Sequence, residues 1–398
     1  MEHTIGNEAE QKRFRAEQLL VRLLSPQPSV IGIEGGPCGG KSTVLETIAE
    51  QADRRGKKIV ILPEVATKWI TSLSERGHSI EWLAQYDRPA YLEVERGILG
   101  DIQHHINGAI TEHSGTDTII ITDRTTVAPY VTPEEFSDIC ASLGISADTP
   151  LMQIDKMIYL PSVARLQPHL YKDLQSTNTA RFEDTAEAAK QTCERTLAAV
   201  ATHPELHIVA DRRGFDKKLS DATNFALETD EIEQKWIVDM PEAEQGRAVD
   251  LLLSSKQRTG ELLSAATITQ SYHTLDGVSF RLRKREVEGG VSYSFTIKSR
   301  TDNGRKETNR TISEAEYTSL YQASHCEGEL QKDRVTFLHS WQVWSVDRLQ
   351  DDTGVVNWFF ETEVADVHDL TELEHPLPLV ETDLSMRQLA AEAGSQIS

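Results

Sequence analysis

The stretch Ser29-Val-Ile-Gly-Ile-Glu34-Gly35-Gly-Pro-Cys-Gly-Gly40-Lys41-Ser42-Thr43 decides how the first half of this 398-residue chain is read. Ser29 to Glu34 is a short apolar run of the kind that forms a buried strand, and Ser42 to Arg55 has helical periodicity. Between them, Gly35, Gly40, Lys41 and Ser42 fit the spacing Gly, four residues, Gly, Lys, then Ser or Thr. Small residues are needed there because backbone N–H groups must wrap closely around phosphate oxygens, with the positive N-terminus of the next helix behind them. In that role Gly35, Gly36, Pro37, Cys38, Gly39 and Gly40 form the cradle, Lys41 reaches the outer phosphates and Ser42 ligates Mg²⁺. Thr43 either joins the cradle or starts the helix without touching the ligand.

Working outward, Lys58-Ile-Val-Ile-Leu62, Thr118-Ile-Ile-Ile-Thr122 and Leu206-His-Ile-Val-Ala210 are further strand candidates, and Asp184 to Ala201 reads as a helix. This alternation predicts an α/β domain with a doubly wound, mostly parallel sheet covered on both faces. Asp123 ends one strand, where a carboxylate would hold a metal directly or through water; a capping role is the alternative. Arg124 follows it as a phosphate contact. Glu64, just past the second strand, is placed as a general base or metal-water ligand, with a surface ion pair as the other reading. Arg165 and Arg181 lie in a polar stretch that would close over phosphate, or would simply be solvated. Residues 8–24 read as an amphipathic helix leading into this first domain.

Length favours two domains, drawn at residues 1–222 and 223–398, with Arg212 to Ser220 as an exposed connection. An apolar fraction of 38% and a charged fraction of 26% belong to a globular chain. The formal charge of −22 argues against general nucleic-acid binding, which needs a concentrated basic surface. No apolar run approaches the roughly 20 residues of a transmembrane helix. The N-terminus lacks the pattern of a secretory signal, so a cytoplasmic location is expected. Cys38, Cys140, Cys193 and Cys326 have no paired spacing and read as reduced thiols.

After about Asp211 the grammar changes to short alternating segments separated by turns such as Glu288-Gly-Gly and Thr301-Asp-Asn-Gly304, which is antiparallel β patterning. Glu231, Glu233 and Lys235 recur at period two, so one strand carries all three side chains on one face. Arg281 with Arg283 and Glu361 with Glu363 repeat that spacing, while Lys298 closes Tyr293-Ser-Phe-Thr-Ile-Lys298 and Asp347 follows Trp344-Ser-Val. Rows of both charge signs suit a tunnel in which basic residues neutralise a polyphosphate and carboxylates hold Mg²⁺ or Mn²⁺.

Two resemblances add to this. Residues 28–210, with Pro63-Glu64-Val-Ala-Thr67, Asp123-Arg124 and Asn178-Thr-Ala-Arg-Phe-Glu183, resemble the thymidylate-kinase-like AAA-type P-loop family, which implies binding of ATP or GTP with Mg²⁺. Residues 229 to about 393 resemble the CYTH, or triphosphate-tunnel metalloenzyme, family through Glu231-Ile-Glu-Gln-Lys235, Gln270-Ser-Tyr272, Arg281-Leu-Arg283, Thr296-Ile-Lys298, Lys332-Asp-Arg334, Val346-Asp347 and Phe360-Glu-Thr-Glu-Val364. Val380 to Ala390 looks like that family's closing helix. The second resemblance implies an α+β domain with an eight-stranded antiparallel tunnel that binds inorganic triphosphate or another triphosphate. By it, Glu231, Glu233, Asp347, Glu361 and Glu363 hold metal, and Lys235, Arg281, Arg283, Lys298, Arg310 and Arg334 hold phosphate. Lys235, Glu361, Glu363 and, in the first domain, Glu64 are the catalytic candidates. Arg305 and Glu307 join the site if the local register allows.

The combination is similar to the family of the insect protein needed for TRPL channel translocation, which implies guanine-nucleotide and phosphoinositide binding. A metal-dependent phosphoanhydride hydrolase, a nucleotide-gated regulatory protein and a small-molecule kinase therefore remain as readings. Base preference stays open, because no guanine-selecting Asn-Lys-x-Asp segment follows the glycine loop.

Overall fold

The computed structural model describes residues 2–175, 185–227, 232–288, 290–301, 304–350 and 355–394. They divide into two units, one of Pro26–Leu227 and one that joins Met1–Ser25 to Glu228–Ser398.

The first unit is built on five strands: β1 (Ser29–Gly35), β2 (Ile59–Ile61), β3 (Ile119–Asp123), β4 (Lys156–Leu160) and β5 (Leu206–Ile208). Their order is β2-β3-β1-β4-β5 and every pairing is parallel. All strand C-termini therefore lie on one edge. The order turns at β1, with β3 and β2 on one side and β4 and β5 on the other, which is where an open parallel sheet leaves a crevice for ligands. Ile31, Ile33, Ile121, Ile158 and Leu160 bury against Val44 and Ile48 of the helix Lys41–Arg54 and against Ala222, Ala226 and Leu227 of the helix Phe215–Leu227. That last helix replaces the exposed connection expected from the polar run Arg212 to Ser220. The lysines and arginines there gave a solvated reading, yet Lys218 is buried. β4 has no counterpart in the sequence reading.

Among the described residues the second unit is built on a nine-stranded antiparallel sheet. Its strands are β6 (Ile232–Val238), β7 (Leu262–Leu275), β8 (Val278–Val287), β9 (Gly290–Thr301), β10 (Gly304–Ile312), β11 (His325–His339), β12 (Gln342–Gln350), β13 (Val356–Val364) and β14 (Leu379–Glu381). They run in the order β10-β9-β8-β7-β11-β12-β13-β6-β14. The eight-stranded expectation is thus corrected to nine: β6 to β13 supply eight, and the short β14 adds to the edge of β6. Among the described residues no pairing joins β10 to β14 or to β6. The closing helix begins at Met386, because Leu379 to Glu381 spend their backbone groups on β6 instead.

Period two sorts the side chains of this sheet into two faces. One face is apolar. Over β7 to β10 it carries Leu275, Phe280, Leu282, Phe295 and Ile312, covered by Ala16, Leu20 and Leu23 of the helix Glu2–Leu24 and by Leu320 of the helix Glu314–Ala323. Over β11 to β13 and β6 it carries Phe337, Trp344, Val346, Phe360 and Trp236, covered by Val249 of the helix Glu242–Arg258. The N-terminal helix was assigned by sequence to the first domain. Its apolar stripe is the reason it packs here: Leu20 and Leu23 fill a sheet face that would otherwise be bare. No helix among the described residues is long and apolar enough to cross a membrane.

Candidate functional site

The glycine loop sits at the C-terminal end of β1. Gly36 N–H donates to the Leu160 carbonyl at 3.1 Å, and Gly39 N–H donates to the Gly36 carbonyl at 3.0 Å. A Cβ on Gly35 would stand 2.4 Å from the Leu160 carbonyl oxygen, so the loop is glycine where it crosses the end of β4. Gly40 caps the helix with φ of 85°, and Cys38 also takes a left-handed φ of 55°. Two side chains brace the loop from behind: the Ser162 hydroxyl donates to the Pro37 carbonyl at 2.5 Å, and Lys218 Nζ donates to the Gly39 carbonyl at 2.7 Å. Burial pulls the Lys218 ammonium down to about 8, with Asp211 and the Cys193 thiol acting in the opposite direction.

Around the mouth of the loop, Lys41 is half-buried while Ser42, Thr43 and Glu64 are exposed. Glu64 precedes the helix Val65–Glu75 and accepts a hydrogen bond from the Thr67 hydroxyl at 2.6 Å. Burial raises the Asp123 carboxyl; Lys41 and Arg124 pull it back, while Glu64 and Glu34 push it further up. The loop lysine, the strand-end aspartate, Glu64 and Arg124 are therefore brought into one electrostatic neighbourhood. Arg124 takes φ of 77°, an unfavourable conformation for a residue with a Cβ. It is held there by its own N–H on the Ile33 carbonyl at 3.3 Å and by Glu34, whose Oε1 accepts from both Thr125 N–H at 2.6 Å and the Thr125 hydroxyl at 2.8 Å. The guanidinium stacks over the Tyr130 ring, 4.4 Å from its centre. Arg165 lies on the short helix Val163–Leu166, capped by Ser162 beyond β4. Arg181 falls outside the described residues.

The polar face of the antiparallel sheet gathers the second set. Cross-strand register puts Glu361 beside Lys235, Glu363 beside Glu233, Asp347 beside Arg334, and Arg281 beside Tyr272 and Thr296. Asp347, 0% exposed, receives Arg334 Nε at 2.6 Å and Nη2 at 2.7 Å, together with Lys332 Nζ. Arg334 also pairs with Glu361, which takes Lys235 Nζ at 3.1 Å, and Lys235 pairs with Glu233 as well. Arg283 donates to Gln270 at 3.1 Å and Arg281 to the Thr296 hydroxyl at 3.1 Å. Beyond these charges the face is closed by Leu330, Leu349 and Phe359 with Met386 and Ala390 of the helix Met386–Gly394.

Burial works against the Glu361 charge, but Arg334, Lys332 and Lys235 outweigh it and hold the carboxyl well below its ordinary range. Lys235 is raised in the same way: burial opposes its charge, and Glu361 and Glu233 overcome that. Lys332 goes the other way, down to about 8, because burial and Arg334 outweigh Asp347 and Glu361.

One expected phosphate ligand is on the wrong face. Arg310 stands opposite Phe295, on the face with Ile312 and Leu282, whereas Asn309 accepts a hydrogen bond from Thr296 at 3.0 Å beside Arg281. Period two therefore excludes Arg310 from the row of Arg281 and Arg283. Glu231 lies outside the described residues. Lys298, Arg305 and Glu307 have described backbone but not side chains; their register, Lys298 opposite Glu307 and Thr296 opposite Asn309, aligns them with the polar row. Sequence reasoning missed Lys332 as a site residue, although its spacing of two from Arg334 was the available signal. It also missed Glu34, one residue before the loop, and Lys218.

Fold and geometry define a chain with a phosphate-loop α/β unit and an antiparallel sheet unit bearing a buried row of paired charges. A family profile described as an AAA domain matches residues 30–216, the span that holds the loop, Asp123 and Arg124. Among solved structures, the chain is similar to an inorganic triphosphatase at 22% identity, covering 42% of this chain and 95% of that one, with a TM-score of 0.26. A Bacillus halodurans protein described as a candidate adenylate cyclase matches at 21% identity, over 36% of this chain and 84% of its own, with a TM-score of 0.27. A Vibrio parahaemolyticus protein with the same description matches at 14% identity, over 40% and 96%, with a TM-score of 0.29. At such identities and scores nothing about this chain's chemistry follows from the structural likenesses.

Proposed function

We propose that this chain binds ATP or GTP at the loop Gly35–Ser42 and, on the polar face of its antiparallel sheet, binds a triphosphate and hydrolyses its phosphoanhydride bond with a divalent metal. The observation that carries the reading is the buried charge row, in which Lys235, Lys332 and Arg334 are set against Glu233, Asp347 and Glu361. Buried ion pairs are weak contributors to stability, since desolvation offsets most of their attraction. A face that retains so many is better explained by ligand exchange: phosphate oxygens take over the basic groups and a cation takes over the carboxylates.

The donor set fits such a cation. Glu233, Asp347, Glu361 and Glu363 offer hard carboxylate oxygens suited to Mg²⁺ or Mn²⁺, and all four occupy one face by register. When bound, the metal would neutralise phosphate charge and make a coordinated water more acidic. Lys235 and Arg334 are already paired with Glu361, so they are positioned to pass to phosphate oxygens and stabilise the charge that develops there. Arg281 and Arg283 extend the basic row along β8 and orient the rest of the chain of phosphates. In the first unit Lys41 and Arg124 would bind phosphate, and Ser42 with Asp123 would hold Mg²⁺.

The saturation of Asp347 by Arg334 and Lys332 also supports a second reading, in which the sheet captures an anion such as a phosphoinositide head group without cleaving it. Phosphate release from ATP, GTP and inorganic triphosphate with Mg²⁺ or Mn²⁺ separates the two. Cleavage lost in Glu361→Gln plus Glu363→Gln, but kept in Lys41→Ala, assigns hydrolysis to the sheet; loss only in Lys41→Ala assigns it to the loop. Binding with no phosphate release under any condition overturns the enzymatic reading.

A further inference from the structure

We propose that Lys218 is a positioning residue of the phosphate loop, acting through the Gly39–Gly40 peptide so that Gly40 N–H faces the phosphate seat. This rests on the reading of that loop as the nucleotide site. In a trans peptide the C=O and the following N–H point in opposite directions, and among the described residues no peptide bond is cis. Lys218 Nζ draws the Gly39 carbonyl outward at 2.7 Å. The N–H on the other side of the same plane belongs to Gly40, and among the described residues it has no protein acceptor. It is therefore directed to the inner side of the loop, where an anion would sit.

A second observation concerns charge. Lys218 is 4% exposed, and a buried ammonium is costly unless an anion or strong dipole answers it. Its contact is a neutral carbonyl, so its field is only partly answered within the unit, by Asp211. The bond polarises the peptide as well as orienting it, which strengthens the Gly40 donor. The same helix contributes Phe215, whose ring leaves 3.0 Å to the position of a Cβ on Gly40. Helix Phe215–Leu227 thus fixes both the plane and the size of the last residue before Lys41. Ser162 makes the corresponding neutral contact at the Pro37 carbonyl.

The test uses intact protein and the portion of ATP and GTP binding that Lys41→Ala removes, followed by titration calorimetry. Lys218→Met keeps volume and loses the donor. It should weaken both nucleotides by at least about tenfold, the loss expected for one charge-assisted contact, and by the same factor because the loop reads phosphate rather than base. Lys218→Arg keeps donor and charge and should stay within about threefold of the parent. Equal affinity of Lys218→Met and the parent overturns the proposal, as does Lys218→Arg failing as badly as Lys218→Met at an unchanged melting temperature. Should Lys218→Met not fold, Lys218→Gln, a neutral donor, must fall between the parent and Lys41→Ala, and parental affinity refutes the role of charge. If no nucleotide binding depends on Lys41, the reading of the loop itself fails and takes this proposal with it.

Discussion

Replacing Asp347 by asparagine probes the centre of the buried charge row. The carboxylate receives Arg334 through two nitrogens and Lys332 through a third, and it is 0% exposed. The amide keeps the shape but cancels the charge and turns one acceptor into a donor facing cationic donors. Breaking a buried pair by removing one partner costs about 3–5 kcal/mol, because the remaining charge is left uncompensated. At about 1.4 kcal/mol per factor of ten, amides of β11 and β12 that exchange by opening of the sheet should lose roughly 10²- to 4 × 10³-fold of their protection. Hydrogen exchange read by mass spectrometry on peptides spanning residues 330–350 measures this, with peptides of β1 and β4 as an internal reference that should not move. A change below about fivefold would show that the row is not energetically coupled as described. Lys332→Met, Arg334→Leu, Asp347→Leu and Glu361→Leu made together, which removes two charges of each sign, should restore stability to within about 1 kcal/mol while abolishing triphosphate binding.

Three further outcomes are expected. Leu20→Ala should cost about 2–5 kcal/mol in the exchange protection of β8 and β9, since Leu20 is buried in the same apolar cluster as Phe280 and Phe295, and should leave β1 untouched. Arg281→Ala with Arg283→Ala should weaken triphosphate binding at least about a hundredfold, at about 1.5–3 kcal/mol for each of two charge-assisted contacts, and flatten its dependence on salt in binding titrations. Lys218 titrates at about 8 when folded and near its ordinary 10.5 when unfolded, so between those values the unfolded chain holds the extra proton and stability rises with pH. The burial penalty on its charged form, on the order of 3 kcal/mol, is present at pH 7 and relieved across that window. Denaturant melts from pH 7 to 10 should show this slope in the parent and its loss in Lys218→Met; equal slopes refute the assignment.

The glycine loop was legible because its chemistry is local: spacing, flanking strand and flanking helix all lie within about thirty residues, as in any such unit. The charged row was legible for a similar reason, since period two shows on each strand separately. What failed was whatever depends on partners distant in sequence. Arg310 has the right residue type in the right strand, but its face is set by pairing with Phe295, and the sequence does not show that register. The N-terminal helix reads as amphipathic without saying which apolar face it covers, so adjacency in sequence misassigned it. β4 went unread because Lys156 to Leu160 follows a helical stretch without a strong turn signal, and a short apolar run is ambiguous on its own.

Lys218 and Lys332 show the limit most clearly, because composition treats lysine as a surface residue and both are buried. Each is pulled down to about 8 by burial, yet their partners give them different roles. Lys332 faces a carboxylate, so its charge reaches a ligand only if Asp347 changes partner. Lys218 faces a peptide carbonyl, so its charge is offset by a dipole and by nearby Asp211 rather than by a direct ion pair. Under the proposed function the loop would therefore offer a standing positive field to phosphate, whereas the sheet would hold its charges in balance until ligand and cation arrive together. That difference predicts tight metal dependence for anion binding on the sheet and weak metal dependence for initial phosphate capture at the loop. Triphosphate and nucleotide titrations with and without chelator read it directly, and metal-independent binding on the sheet would refute the exchange of partners.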